Sequence, residues 1–430
     1  MGFFRRSGSE VGRVIASAAD PAAEVGRSLF YSKTVAGLVQ LFTRASGGVI
    51  SQLTPLAAKF NDSVAGAYNN IQGNRTSQSA IDNTKTGITN FGSSPGLGAT
   101  ADYATIVGGS GCVASDFAAI AGGDGAKATG FGAVALGEGP TASGDQSVAM
   151  GNGPTASGDN AAAFGVLTVA SGNSAFAMGD GTNVAGDFAA GFGNGTSAAG
   201  EAAFVAGQGG DANGQASVCM GDGGIADGYA SASLNTGNAG GDYSTALNVA
   251  KTDPAAEGCF AHGVRGFATR FGQHSFGSGA FTAGSAGYGE VQTSELVLRG
   301  STPGAAVGES TELKFGGYSG SGSTQFILED SKTYSFDVTV AAGGVQAGPT
   351  RVSRIIKFSF NARRAAGVTV ITGAGSIAAT SDGDAATATW TVVATVGAAP
   401  DRIVLTFATG VGAASACKVA ARVEFTEVKF

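Results

Sequence analysis

A glycine returns every seven residues through the middle of this chain. Counting from Gly137 it falls at 144, 151, 158, 165, 172, 179, 186, 193, 200, 207, 214, 221 and 228, and the register holds at 109, 123 and 130 upstream and at 263, 277 and 284 downstream. Whole segments copy one another at twice that spacing: AVALGEGPTASGDQ, 133–146, is followed directly by SVAMGNGPTASGDN, 147–160. Glycine tolerates the positive φ of a sharp corner, so two glycines per unit predict two corners. The four or five residues between corners are too few for a helix, and each unit reads as two short strands and two turns, one coil of a parallel β-solenoid.

The columns of the repeat assign its faces. Positions 119, 133, 147, 161, 175, 189, 203 and 217 hold only Ala or Ser, and the column through Ala149, Ala163, Ala177 and Gly191 is nearly as small. Successive side chains of a strand point to opposite faces, so these columns are predicted to fill a thin interior. Val134, Val148, Phe176, Phe204 and Val218 then point outward, with Leu136, Met150, Phe164, Met178, Phe192 and Met220. In the other strand, small residues at 128, 142, 156, 170, 198, 212 and 226 face inward between polar neighbours. One strand apolar on both faces and one wet on its outer face predict an oligomer of rolls packed about an axis; left bare, the stripe is a large aggregation-prone patch.

The segments SVAMG (147–151), SVCMG (217–221) and SAFAMG (174–179) resemble the head repeat of trimeric autotransporter adhesins of the YadA type, across about residues 103 to 288. The resemblance implies a left-handed parallel β-roll assembled as a trimer. Joined to the columns, it predicts a trimer interface of Val148, Met150, Phe164, Phe176, Met178, Phe192, Phe204 and Met220.

Composition removes other classes. The 73 glycines among 430 residues follow no three-residue period and accompany only 9 prolines, which excludes collagen. With 43% hydrophobic and 13% charged residues, the chain is the reverse of a disordered one. A net charge of -7 without a dense basic run points away from nucleic acid. No apolar stretch approaches the roughly 18 residues of a membrane helix, and Gly12, Arg13 and Asp20 interrupt the start, so neither membrane insertion nor a secretory leader is expected. Cys112, Cys219, Cys259 and Cys417 lack metal or redox spacing and are read as free structural thiols.

The flanks differ from the repeat. Residues 1–98 lack the glycine register; helix is predicted over about 22–43 and 49–70, as a stem and attachment segment whose Phe3, Phe4, Leu29, Phe30, Leu41 and Phe42 dock on a larger assembly. Residues 99–290 form the roll. From 291 to 430 the pattern changes to longer alternating runs such as YSFDVTV (334–340), IIKFSF (355–360) and IVLTF (403–407), the mark of an antiparallel β-sandwich, with Trp390 in its core. The fold class is therefore predominantly all-β. The three-part layout, with ELVLR (295–299) and DGDAATATW (382–390), is similar to fibre and spike proteins of tailed bacteriophages, and the resemblance implies a distal host-binding C-terminal domain.

Candidate chemistry is sparse. Asp145, Asp159, Asp187 and Glu201 line one corner, interrupted by Asn173, and read as solvated turn residues rather than a glycosidase pair. The nine-residue calcium repeat is absent. His262 and His274 have no acid or nucleophile at motif spacing, and the glycines near Gly193 and Gly195 open no βαβ unit. No catalytic residue, metal or cofactor is expected. The sequence predicts a non-enzymatic virion fibre on the particle surface: a homotrimer held to tail, collar or capsid proteins by its N-terminus, and meeting a host receptor or glycan through its C-terminal domain. The alternatives are a bacterial trimeric adhesin, a head or collar decoration protein, and a polysaccharide-degrading tailspike.

Overall fold

The fourteen-residue period is one coil of a parallel β-solenoid. In a computed structural model, the side chains of residues 88–91, 98–279, 288–302, 309–314, 328–344, 353–372, 390–397, 402–409 and 416–429 are described, and further strands, most of them N-terminal, by their backbone pairing. The chain divides into two compact units, Met1–Asn160 and Ala161–Phe430.

In the first unit the strands Thr105–Ser110, Ile120–Asp124, Val134–Glu138 and Val148–Asn152 stack in parallel. Val113–Ala114, Lys127–Ala128, Thr141–Ala142 and Thr155–Ala156 form a second, two-residue ladder. Register is one coil per rung, Val134 beside Val148 and Leu136 beside Met150. The predicted inward columns are buried, with Ala133, Ala135, Ala142, Ser147, Ala149 and Ala156 all at 0% exposure.

The glycines serve two purposes, where the sequence suggested one. Gly137 has φ +132°, and a Cβ there would lie 2.0 Å from the carbonyl oxygen of Gly151 in the next coil. Gly144, at the other corner, has no positive φ; a Cβ there would lie 2.1 Å from the Gly158 oxygen. At that corner glycine is required by close stacking, and the left-handed turn falls two residues later on Gln146, φ 57°. A non-glycine residue there costs roughly 1–2 kcal/mol; the Gln146 backbone N–H donates to Phe131 O at 2.6 Å, fixing the turn to the coil before it.

The N-terminal segment departs from expectation. Helix was predicted over 22–43 and 49–70, but Leu29–Val35 and Leu38–Arg44 form an antiparallel hairpin, extended by Ile50–Gln52. Apolar spacing in LFYSKTVAGLVQLFTR fits a helical face, yet Val, Thr, Phe and Tyr favour the pleat. The pairing runs from Leu29 with Arg44 to Val35 with Leu38. The rest of 53–70 lies outside the described residues.

The second unit contains coils of the same kind, from Ala162–Val166 to His274–Ser278. Midway the period changes. Ile225 pairs with Asn238, Asn238 with Lys251, and Lys251 with Phe267, so two 13-residue coils are followed by one of 16 and the register is restored. Asn235 stands where the glycine column would continue, with φ 61° and its amide donating to Asn248 Oδ1 at 2.9 Å.

The last strand of the roll pairs antiparallel with Val291–Pro303, which pairs on the same side with Lys314–Phe315 and on the other begins a sheet continuing through Ser415–Lys429, Lys332–Gln346, Arg351–Ala365 and Val368–Thr372. A smaller antiparallel sheet of Ser310–Glu312, Arg402–Ala408 and Thr391–Gly397 shares its core: Tyr334, Phe336, Phe360 and Phe425 belong to one buried cluster with Trp390, Leu405 and Phe407. This is the expected sandwich, and Trp390 packs edge-on against Phe407.

Two side chains finish the open end of the roll. Gln292 accepts from Phe267 N at 2.8 Å and donates to Phe267 O at 2.9 Å, so its amide imitates the missing next coil. It also donates to Glu427, a carboxylate at 0% exposure that faces Lys332 Nζ at 3.1 Å. Unpaired strand edges invite further strands; here a polar plug occupies the edge.

Candidate functional site

The outward column of the longer strands is the feature most in need of a partner. Val148, Phe164, Phe176, Phe192 and Phe204 are half-buried, while Met150, Met178 and Met220 are 37%, 44% and 45% exposed. In the second unit the rings form a continuous ladder: Phe164 to Phe176 at 5.6 Å between centroids, Phe176 to Phe192 at 5.4 Å and Phe192 to Phe204 at 5.8 Å. Strand registry stacks them one coil apart, and the inward alanines leave no room for them inside. The residues expected at an interface are thus on one face of each unit's ladder, open on the single chain.

The same columns carry the histidines at the far end of the roll. His262 and His274 lie 4.9 Å apart between Phe260 and Phe276. Desolvation, then the neighbouring His274, pushes the His262 pKa below its ordinary value. They are members of an aromatic stack, as structural histidines are.

The corner carboxylates act as staples between coils. Asp145 Oδ1 accepts from Phe131 N at 3.1 Å, Asp159 Oδ1 from Asp145 N at 3.0 Å, and Asp187 Oδ1 from Asn173 N at 2.7 Å; Glu201 accepts from Gln215 at 2.8 Å. Each holds the coil before or after it, which the expectation of merely solvated corners missed. Among the described residues, no group of three or more His, Cys, Asp or Glu is arranged to hold a metal, and no helix is long and apolar enough to cross a membrane. All four cysteines are buried and free, and burial pushes the Cys259 thiol up to about 11.

Sequence reasoning missed the exposed aromatic rungs at the corner, Tyr103, Phe117 and Phe131, with centroids 5.1 and 5.3 Å apart. Their fourteen-residue spacing was the available signal. Of the attachment residues, Phe3 and Phe4 pair with Arg13 and Gly12, and Leu29, Phe30, Leu41 and Phe42 lie in the hairpin; their side chains lie outside the described residues.

Residues 128–153 and 156–182 match the YadA head domain repeat. The roll is of YadA type in these coils. No match was found among curated protein sequences. Among solved structures, similar chains include the tailspike protein of Acinetobacter baumannii phage AM24, at 10% identity and TM-score 0.26 with 95% of this chain and 92% of that chain covered. The tailspike of Acinetobacter phage vB_ApiP_P1 follows at 8% identity and TM-score 0.22, with 97% and 99% covered. A third is the tailspike of Acinetobacter baumannii bacteriophage Fri1, a capsular polysaccharide depolymerase, at 8% identity and TM-score 0.18, with 83% and 66% covered. The depolymerase activity is a property of that protein.

Proposed function

We propose that this chain is a structural fibre protein of a tailed-bacteriophage virion: a homotrimer joined through the apolar face of its roll, anchored to the particle by residues 1–98, and meeting a host-surface receptor or glycan through residues 291–430. The observation that carries the reading is the division of the longer strands, with alanine inside and Phe, Met and Val outside on face after face. A strand of this kind is stable in water only when a second apolar surface covers it. Copies of the same chain supply such a surface, and a closed ring of three leaves no open end. In this reading the roll is a rod, and the carboxylates of its corner serve the stacking of coils rather than catalysis.

Two truncations test it. Removing residues 1–45 is expected to give a trimer that binds host cells but does not join particles; removing 291–430 is expected to give incorporation without adsorption. Normal incorporation of the first truncation refutes the anchoring assignment. The YadA-type repeat also suits a bacterial trimeric adhesin, and recovery of the chain from bacterial envelopes but not from purified particles decides for that reading.

A further inference from the structure

The outer face of the larger C-terminal sheet has an uneven arrangement of charge. Cross-strand register builds it in rungs. One rung is Lys314, Arg299, Ala420, Ala341 and Ile355; the next, toward one end, is Ser301, Lys418, Gly343 and Ser353; toward the other end come Val297, Arg422, Thr339 and Lys357, then Glu295, Glu424, Asp337 and Ser359. Alternation along the strands points these side chains away from the core, and all but a few are exposed.

These rungs carry five cations, Arg299, Lys314, Lys357, Lys418 and Arg422, and of these only Arg422 is in an ion pair among the described residues. Arg422 binds Glu295 through Nε at 2.7 Å and Nη2 at 3.0 Å, and also contacts Glu424. The hydrogen bonds and charge of Glu295, then Glu424, push its pKa further above the ordinary value. Arg299 and Lys418, on diagonal positions about 7 Å apart by the geometry of antiparallel strands, have neither an ion pair nor a side-chain hydrogen bond among the described residues. Their side chains border a depression of about 470 Å³ lined also by Gly300, Ser301, Ala341, Val419 and Ala420. The floor is made of small residues and the rim of two free cations and a hydroxyl.

We propose that this depression binds the anionic group of an acidic surface glycan. A guanidinium offers paired donors to a carboxylate or phosphate, a lysine adds a point charge, and Ser301 supplies a further donor. The Ala341 and Ala420 methyls, with Ile355 at the edge, suit the apolar face of a sugar ring. Like charges held side by side repel, and an anion between them removes that cost. The acidic rung beyond Arg422 repels a polyanion from its side, so the saccharide enters over Ser301 and Lys418. The proposal rests on the reading of residues 291–430 as the recognition domain and names the chemistry it recognises.

The test uses the full chain and three probes: an oligogalacturonide, a neutral oligosaccharide of equal length, and mannose 6-phosphate. The oligogalacturonide, the phosphate sugar or both are expected to bind at least tenfold more tightly than the neutral probe, and more weakly as salt rises; which of them binds identifies carboxylate or phosphate. Arg299→Gln with Lys418→Gln is expected to weaken binding at least tenfold, and Lys357→Gln to leave it unchanged. Gly343→Glu, whose Cβ meets open space, places a carboxylate beside Lys418 and is expected to reproduce the loss without disturbing the sheet. Equal binding of neutral and acidic probes, no binding, or full binding by both variants overturns the assignment. Particles carrying the same variants separate the two claims: lost glycan binding with intact adsorption retains this site and refutes host attachment through it, whereas adsorption that needs 291–430 without any acidic-glycan binding does the reverse.

Discussion

Replacing Lys332 by Met attacks the plug between roll and sandwich at its charged centre. Glu427 is at 0% exposure and Lys332 at 3%, with Nζ 3.1 Å from Glu427 and 2.7 Å from Glu329. The two acids respond differently to loss of the lysine. Glu329, 36% exposed, turns to water; Glu427 cannot, and keeps only the Gln292 amide. Leaving one member of a buried pair alone costs about 3–5 kcal/mol, whereas replacing both by apolar groups of similar volume is often neutral or stabilising.

Lys332→Met is therefore expected to lower the unfolding free energy of the C-terminal transition by about 3–5 kcal/mol, and Lys332→Met with Glu427→Leu to recover most of it. Denaturant unfolding followed by Trp390 fluorescence reads this transition, since Trp390 lies in the same sandwich. Limited proteolysis between the roll and residue 291 reports whether the junction itself opens. Equal destabilisation by the single and double variants, or a single variant within about 0.5 kcal/mol of wild type, refutes the argument that an unpaired Glu427 is what the fold cannot accommodate.

Three further outcomes are expected. Phe176→Asp with Phe204→Asp should abolish assembly, because each charge meets its own copies at a desolvated interface; sedimentation showing an intact trimer refutes the assigned face. Ser147 and Ser217 are fully buried with unpaired hydroxyls, in a column that holds alanine at 133, 161 and 203, so Ser147→Ala and Ser217→Ala should be neutral or stabilising by about 1 kcal/mol, and a fall in Tm contradicts the packing described. His262 has a folded pKa below its unfolded value, so the unfolded chain binds more protons: stability should be full above about pH 6.5, the unfolded value, and decline as pH falls through the folded one. Thermal melts from pH 7.5 to 5 check the sign, and His262→Gln should flatten that decline.

Much of the roll was legible because its physics is periodic. An inward position has room only for Ala or Ser, and that restriction repeats at 133, 147, 161 and 175 often enough to be read without coordinates. Function within the period was less legible. Gly137 and Gly144 look alike in sequence, yet one adopts positive φ and the other only clears its neighbour, because the residue that turns at the second corner is Gln146. Coils around Asn235 and Asn248 shorten to 13 residues where no glycine marks the change. The N-terminal hairpin was misread as helix since its apolar spacing satisfies both periods, and pairing between Leu29–Val35 and Leu38–Arg44 decides. Arg299 and Lys418 become neighbours only through the pairing of distant strands; no local pattern announces them.

The two halves of the second unit bury their apolar residues by opposite means. The sandwich closes on itself, with Tyr334, Phe336, Phe407 and Phe425 nearly inaccessible, whereas the roll fills its interior with methyl groups and places Phe and Met outside. Burying the exposed half of one such side chain is worth about 1 kcal/mol, a small gain per coil that accumulates with each coil added. In the proposed trimer a roll built this way depends on its partners for that burial, and each added coil strengthens association. In that trimer the strands that carry Phe176 and Phe204 make folding and assembly one process, whereas the sandwich buries its apolar residues in a core of its own.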